Sequence, residues 1–239
     1  MNKVPKKNQK ISEEISVVAH QLKNPISVLK SYLEVLISED LGKLNQKQKE
    51  YLSDVLENIK RMKETIDNIL DVSKIEAGKY KIKPQIVDLK KITKEVINDF
   101  YSWIKASNSQ IVFEFSPKEN FFVKADPLRI RQVIEGLLSN ALKYKCNGQG
   151  VISIFLKKSG KNILFSCKDN GIGIASKDKK KVFNKFYRSE KALEMDPNGC
   201  GLGLYVTKAI IELSKGKIWF KKNSGRGLTF YFTLPIYDK

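Results

Sequence analysis

The sequence predicts an α+β protein: an N-terminal antiparallel helical hairpin forming a dimeric four-helix bundle, then an α/β sandwich domain with a mixed sheet. Two observations carry this. Over the first third of the chain, apolar residues recur at steps of three and four, the helical period, in stripes too wide for one hairpin to bury. From about residue 88, short alternating strands interleave with amphipathic helices. At 239 residues the chain has room for both parts. The expected division is a tail over 1–10, a hairpin over 11–78, a linker over 79–88 and a second domain over 89–239.

The first helix is expected over 11–38, with Ile11, Ile15, Val18, Leu22 and Leu29 as its seam. Pro25 lacks an N–H and should bend it just after His20. His20, the single histidine of the chain, stands two residues after Val18, off the seam and toward solvent. The second helix runs over 46–76 with Leu52, Val55, Ile59, Met62, Ile66, Ile69 and Ser73 as seam, widened by Leu56, Leu70 and Val72. Gly78 is its stop.

Beyond the linker and a short strand at 86–89, one helix is expected over 89–105, then strands at 110–115 and 121–125. Asp126-Pro127 opens a helix as N-cap and first-turn proline, and that helix ends in Asn140-Ala141-Leu142-Lys143-Tyr144. Strands at 151–157 and 162–168 follow, the second running into Asp169-Asn170-Gly171-Ile172-Gly173-Ile174. A carboxylate at a strand end can accept from an amino group, and the spaced glycines let backbone lie against a planar ligand. The polar stretch 175–198 is long enough for a mobile lid. The run Gly199-Cys200-Gly201-Leu202-Gly203-Leu204 then enters a helix to Glu212, where backbone amides form an anion site. Strands at 217–221 and 228–234 close the sheet, with Gly225 and Gly227 at their turn.

The net charge is +18. A nucleic-acid binder shows such an excess, but along the chain the lysines are spread out rather than gathered beside stacking aromatics. Clusters at Lys157–Lys158, Lys177–Lys181 and Lys221–Lys222 fall at loops or strand ends. No specific nucleic-acid partner is expected. No run of about 18 apolar residues exists, so no membrane-crossing helix is predicted. The start lacks the apolar core of a signal peptide. A cytoplasmic location is the expectation, with a membrane involved only if the chain is part of a longer protein. Cys146, Cys167 and Cys200 show no metal spacing and are expected to be free thiols.

The motifs, taken in order, resemble those of the sensor histidine protein kinases. HQLKNP at 20–25 resembles the phosphoacceptor box, and the stretch from Asp126 to Tyr144 the asparagine box. DNGIGI at 169–174 resembles the first glycine box and VFNKFYR at 182–188 the phenylalanine box. GCGLGL at 199–204 resembles the second glycine box, and the run from Gly225 to Phe230 the last glycine turn. Six matches in family order cover nearly the whole chain from residue 11. The resemblance implies that His20 takes the ATP γ-phosphate as a phosphoramidate and passes it to an aspartate on the receiver domain of a response regulator. Asn140 would help hold Mg²⁺, and Lys143 and Arg188 would face phosphates. Tyr144 would lie by the nucleotide, and Asp169 would read the adenine amino group, with Gly171 and Gly173 beside the ring. Gly199, Gly201, Leu202 and Gly203 would shape the lid and its phosphate cradle.

The chain departs from the family in two places. Gln21 stands where the family has Glu or Asp after the histidine; an amide can orient the imidazole but cannot take its proton. General-base help contributes ~10²–10⁴ in rate, so slow autophosphorylation is expected. Gly136 stands where the asparagine box has its first asparagine. Asn24, one turn after His20, matches the polar position that the family uses in dephosphorylating its regulator. The alternative to an active kinase is therefore a kinase-weak relative acting as regulator phosphatase or dimeric scaffold.

Overall fold

A computed structural model describes residues 6–237, with side chains from Lys10 onward. The chain separates into two compact units, Met1–Tyr80 and Lys81–Lys239. Residues 1–5 of the expected tail lie outside the described residues; from Lys6 the chain is already helical.

The first unit is two packed helices, α1 (Lys6–Ile37, with Pro25 inside) and α2 (Gln46–Glu76). A capping box starts α2: Asn45 Oδ1 accepts from the Gln48 N–H at 2.9 Å while Gln48 Oε1 accepts from the Asn45 N–H at 2.8 Å. At its far end Gly78 adopts φ 64°, and the Lys79 and Tyr80 N–H groups close on the Lys74 carbonyl at 2.8 and 3.1 Å. The core between the helices is Ala19, Ile26, Leu33, Ile59, Ile66 and Leu70. This corrects the expected seam of α1. Ile11, Val18, Leu22 and Leu29 are exposed, and the face against α2 is the neighbouring heptad row of Ser12, Ala19, Ile26 and Leu33. Small residues let the helices approach there, and the larger apolar letters lie on a second, open stripe. The α2 seam divides likewise, with Val55, Met62 and Ile69 exposed.

In the second unit, β1 (Gln85–Asp88) pairs antiparallel with β3 (Phe122–Ala125). Strands β2 (Ser109–Phe115), β4 (Gly150–Ser159), β5 (Asn162–Asp169), β6 (Lys217–Lys222) and β7 (Leu228–Pro235) form a mixed sheet of order β2-β4-β5-β7-β6, in which β2–β4 is the parallel pair. The expected helix over 89–105 breaks at Phe100 into α3 (Leu89–Asp99) and α4 (Tyr101–Ala106); Phe100 stacks on Trp103 at 5.6 Å. Helices α5 (Pro127–Lys143) and α7 (Gly203–Leu213) pack on each other and on the sheet. Alternation decides the buried face: Ile152, Ile154 and Leu156 of β4 meet Phe165 and Phe232, whose rings stack at 4.5 Å, beneath Ile130, Ile134 and Leu138 of α5. Each such side chain contributes about 1.5–3 kcal/mol by burial. The stretch expected as a lid contains a 3-10 turn (Ser176–Asp178) and α6 (Glu190–Met195).

Candidate active site

His20 is exposed on α1, as are Gln21 and Asn24. Pro25 has no N–H to donate to the Gln21 carbonyl four residues back. Lys23, on the next turn, is ion-paired to Asp67 of α2. That pairing engages a carboxylate of the facing helix, and Gln21 supplies an amide, not a base.

The second site is built around Asp169, where β5 ends. Its Oδ1 accepts from the Gly171 N–H at 2.8 Å and the Leu228 N–H at 3.2 Å. Burial pushes its carboxyl above the ordinary range, against the two N–H bonds that pull it down. Both bonds fall on one oxygen, which leaves Oδ2 to read a donor. Backbone crowds in on either side. A Cβ at Gly171 would stand 2.3 Å from the Tyr144 carbonyl oxygen, and one at Gly227 (φ 84°) 2.0 Å from the Asp169 carbonyl oxygen. Only glycine fits this floor. The Ile172 N–H donates to the Tyr144 carbonyl at 3.0 Å, tying the end of α5 to the glycine turn.

Asn223 was not singled out from the sequence, and it ties the floor together. Its Nδ2 donates to the carbonyls of Asp169 (2.8 Å), Arg226 (3.2 Å) and Leu228 (3.3 Å), and its Oδ1 accepts from Thr229 Oγ1 at 2.7 Å. An amide just before a glycine-rich turn was the available signal.

Asn140 and Lys143 are half-buried in the last turns of α5, and the Asn140 side chain makes no hydrogen bond among the described residues. Leu202, the N-cap residue of α7, is buried and makes no side-chain cap. Gly203, the first residue of α7, has open space where a Cβ would stand. A helix start with no cap from its N-cap side chain fits a polyphosphate. Among the described residues no group of three His, Cys, Asp or Glu could hold a metal ion. The donor set suits Mg²⁺ held by one protein oxygen, with phosphate and water for the rest.

Arg188 has partners other than those expected. Its Nη1 donates to the carbonyls of Pro197 (3.1 Å) and Gly199 (2.9 Å), and its Nη2 to those of Ala192 (2.7 Å) and Asp196. The guanidinium thus folds the lid upon itself. Tyr144 lies beside it; burial raises its phenol, partly offset by the Arg188 charge. Gly201, at φ 67°, passes so close that a Cβ would meet the Phe186 carbonyl carbon at 2.8 Å. A Cβ at Gly173 (φ 69°) would stand 3.8 Å from the Gly227 carbonyl oxygen. The three cysteines are free, and Cys167 is buried in the sheet.

Comparison with known proteins bears directly on this pair of sites. Residues 10–78 match the His Kinase A (phospho-acceptor) domain, and 125–238 the histidine kinase-, DNA gyrase B-, and HSP90-like ATPase family. The sensor histidine kinase WalK of Bacillus subtilis is 31% identical over 98% of this chain and 38% of its own length. The circadian input-output histidine kinase CikA of Synechococcus elongatus is 29% identical over 93% of this chain and 30% of its own. The chain thus spans about a third of the length of these curated relatives. The catalytic domain of histidine kinase ThkA superposes with a TM-score of 0.56 at 28% identity, over 64% of this chain and 97% of that one. Full-length ShkA, solved in complex with AMPPNP, shares the fold with a TM-score of 0.73 at 19% identity, over 95% of this chain and 46% of its own. With a stretch matching the phospho-acceptor domain and another matching the ATPase family in one chain, in family order, the protein belongs to the sensor histidine kinase family, whose catalytic core it resembles throughout.

Proposed function

We propose that this core autophosphorylates His20 from Mg-ATP and passes the phosphoryl group to an aspartate of a response regulator, working as a homodimer through the hairpin. The observation that carries the reading is the pairing of an exposed imidazole on α1 with a glycine-floored carboxylate at Asp169. In that reading Asp169 Oδ2 accepts from the adenine amino group, and the amides at the start of α7 with Lys143 hold the phosphates. Asn140 would hold Mg²⁺, which neutralises phosphate charge. An imidazole nitrogen of His20 forms the bond to the γ-phosphorus as the bond to the β-bridging oxygen breaks; ADP leaves, and the ring proton goes to solvent. The homodimer is supported by the second apolar stripe of each helix, which the hairpin leaves uncovered.

Incubation with γ-labelled ATP and Mg²⁺ tests this. Acid-labile, base-stable label on the wild type and none on His20→Ala is the expected result. Label retained by His20→Ala, or none on a wild type that binds ATP, would sink it.

A second reading rests on Gln21 and Gly136. No carboxylate follows His20, and Gly136 on α5 faces Thr207 Oγ1 of α7, 3.6 Å from where a Cβ would stand. The chain would then act chiefly as a regulator phosphatase through Asn24, or as a scaffold. Faster labelling of Gln21→Glu supports the missing-base account within the kinase reading. Unchanged labelling refutes that account.

A further inference from the structure

The helices of the second unit lie on one face of the five-stranded sheet, and the residues that alternate onto the other face are exposed or half-buried, apart from Thr229. The register joins distant strands there. Phe155 pairs with Ser166, Ser166 with Tyr231 and Tyr231 with Trp219, a single row across four strands. Two residues along the strands in one direction stand Lys168 and Lys221, joined through Thr229. Two residues in the other direction stand Lys157 and Lys217, joined through Leu164 and Thr233. Each lysine row lies roughly 6.7 Å from the aromatic row. All four lysines are exposed, and none is ion-paired among the described residues. Glu114 of β2 pairs with Phe155 and so ends the aromatic row at the sheet edge; it is the one carboxylate among the described residues of that face.

The chemistry of the row narrows the partner. Trp219 and Tyr231 stack with centroids 5.4 Å apart and planes 9° apart, and Phe155 is 41% exposed. Ser166 separates Phe155 from Tyr231 by two strand spacings, about 9.6 Å, a gap wide enough for one planar ring. Aromatic faces flanked on both sides by cations suit a polymer of planar groups on an anionic backbone. An acidic polypeptide matches the lysines but offers nothing regular to the rings. The charge of the chain is also gathered in this unit: residues 81–239 hold 30 Lys and Arg against 14 Asp and Glu, while residues 1–80 hold 14 against 12. Lysines scattered along the sequence fall into rows on either side of the aromatic row once the strands pair.

We propose that the open face of this sheet docks single-stranded nucleic acid without base-sequence preference, stacking on Phe155, Tyr231 and Trp219 and holding phosphates with Lys157, Lys168, Lys217 and Lys221. The test is anisotropy of a labelled oligothymidylate titrated with the full chain across a salt series. Four phosphate contacts give a slope of about −2.8 in log affinity against log salt, with quenching of tryptophan emission. Lys168→Glu with Lys221→Glu should weaken binding at least about tenfold and flatten the slope. Phe155→Ala, at an exposed site, should weaken it by roughly tenfold; both variants should melt as the wild type does. Saturating ATP and the lid variant Lys179→Glu with Lys180→Glu should leave binding unchanged. Absence of binding, binding that survives both face variants, or displacement by ATP would overturn the proposal. So would equal competition by polyglutamate with no effect of Phe155→Ala, which would mark the face as a site for an acidic protein.

Discussion

The two units solve the problem of a hydrophobic core in opposite ways. The second buries Phe165, Phe232, Ile130 and Ile134 completely, under helices of its own. The hairpin covers one apolar stripe per helix and leaves another in the open, with Val18 54% and Met62 53% exposed. Their charges differ as sharply, about +2 for the hairpin and about +16 for the second unit by the counts of acidic and basic residues. A stripe of that width is what the proposed homodimer would cover. A self-sufficient core with a large positive field belongs to a unit that receives anions.

The comparison breaks most visibly if the open stripe is not an interface. Leu22→Glu with Leu29→Glu buries unpaired carboxylates in any bundle that uses this stripe, and each costs several kcal/mol. The dimer should weaken by at least about a thousandfold, read by sedimentation equilibrium, and the hairpin should lose helicity at micromolar concentration. A wild type that sediments as a monomer would end the contrast between the units. Phe232→Ala acts on the other side, removing a ring from a finished core at about 3–5 kcal/mol. It should lower the melting transition of the second unit equally at all protein concentrations, whereas the hairpin transition should rise with concentration.

A smaller effect sharpens the electrostatic half. Asp169 has its carboxyl raised by burial. The folded state therefore holds that proton more tightly than the unfolded chain does. The group favours folding at low pH and opposes it once pH has risen past the folded value. Asp169→Asn removes this opposition and keeps an Oδ1 for the Gly171 and Leu228 N–H groups. The variant should melt no lower than the wild type at pH 7, with any advantage vanishing toward the unfolded carboxyl range near about pH 3.9. Its ATP affinity should fall roughly ten- to a hundredfold, the scale of one hydrogen bond to a charged group. A variant that melts much lower at neutral pH would show that the carboxylate is structural.

Much of this was legible beforehand, for reasons that differ by element. The cap at Asp126, the stop at Gly78 and the alternation of β4 and β5 are local, so each is written in a few adjacent residues. The hairpin was legible, but which stripe faces α2 was not. Ser12 and Ala19 mark a close helix contact by being small, and a search for apolar periodicity passes over them. The glycine floor was visible as a motif, whereas Asn223, which binds carbonyls of Asp169, Arg226 and Leu228, lies 54 residues from Asp169. Arg188 is positioned by lid carbonyls that exist only once the lid has folded. The lysine rows of the open sheet face depend on strand pairing, which sequence spacing does not report.

The smallest predicted effect compares two helix caps, one in each unit. Asn45 serves α2 through side-chain and backbone bonds confined to the loop and the first turn. Its replacement by Ala should cost about 1 kcal/mol. Asp126 does more. Its Oδ1 accepts from the Leu128 and Arg129 N–H groups at 3.1 and 3.3 Å, and its Oδ2 accepts from the Lys83 N–H at 2.8 Å, fastening the strand region before β1 to the start of α5. Asp126→Ala loses the cap and strands a partly buried donor, so it should cost roughly two to three times as much. Asp126→Asn separates the two roles: the amide oxygen keeps the cap, and the amide nitrogen turns a second donor toward Lys83. Asn45→Asp, with no second role to lose, should be close to neutral. Equal costs for Asp126→Ala and Asn45→Ala in chemical denaturation would mean that the Lys83 contact contributes nothing. A shift of the second unit's transition by Asn45→Ala would mean that the two units do not unfold separately.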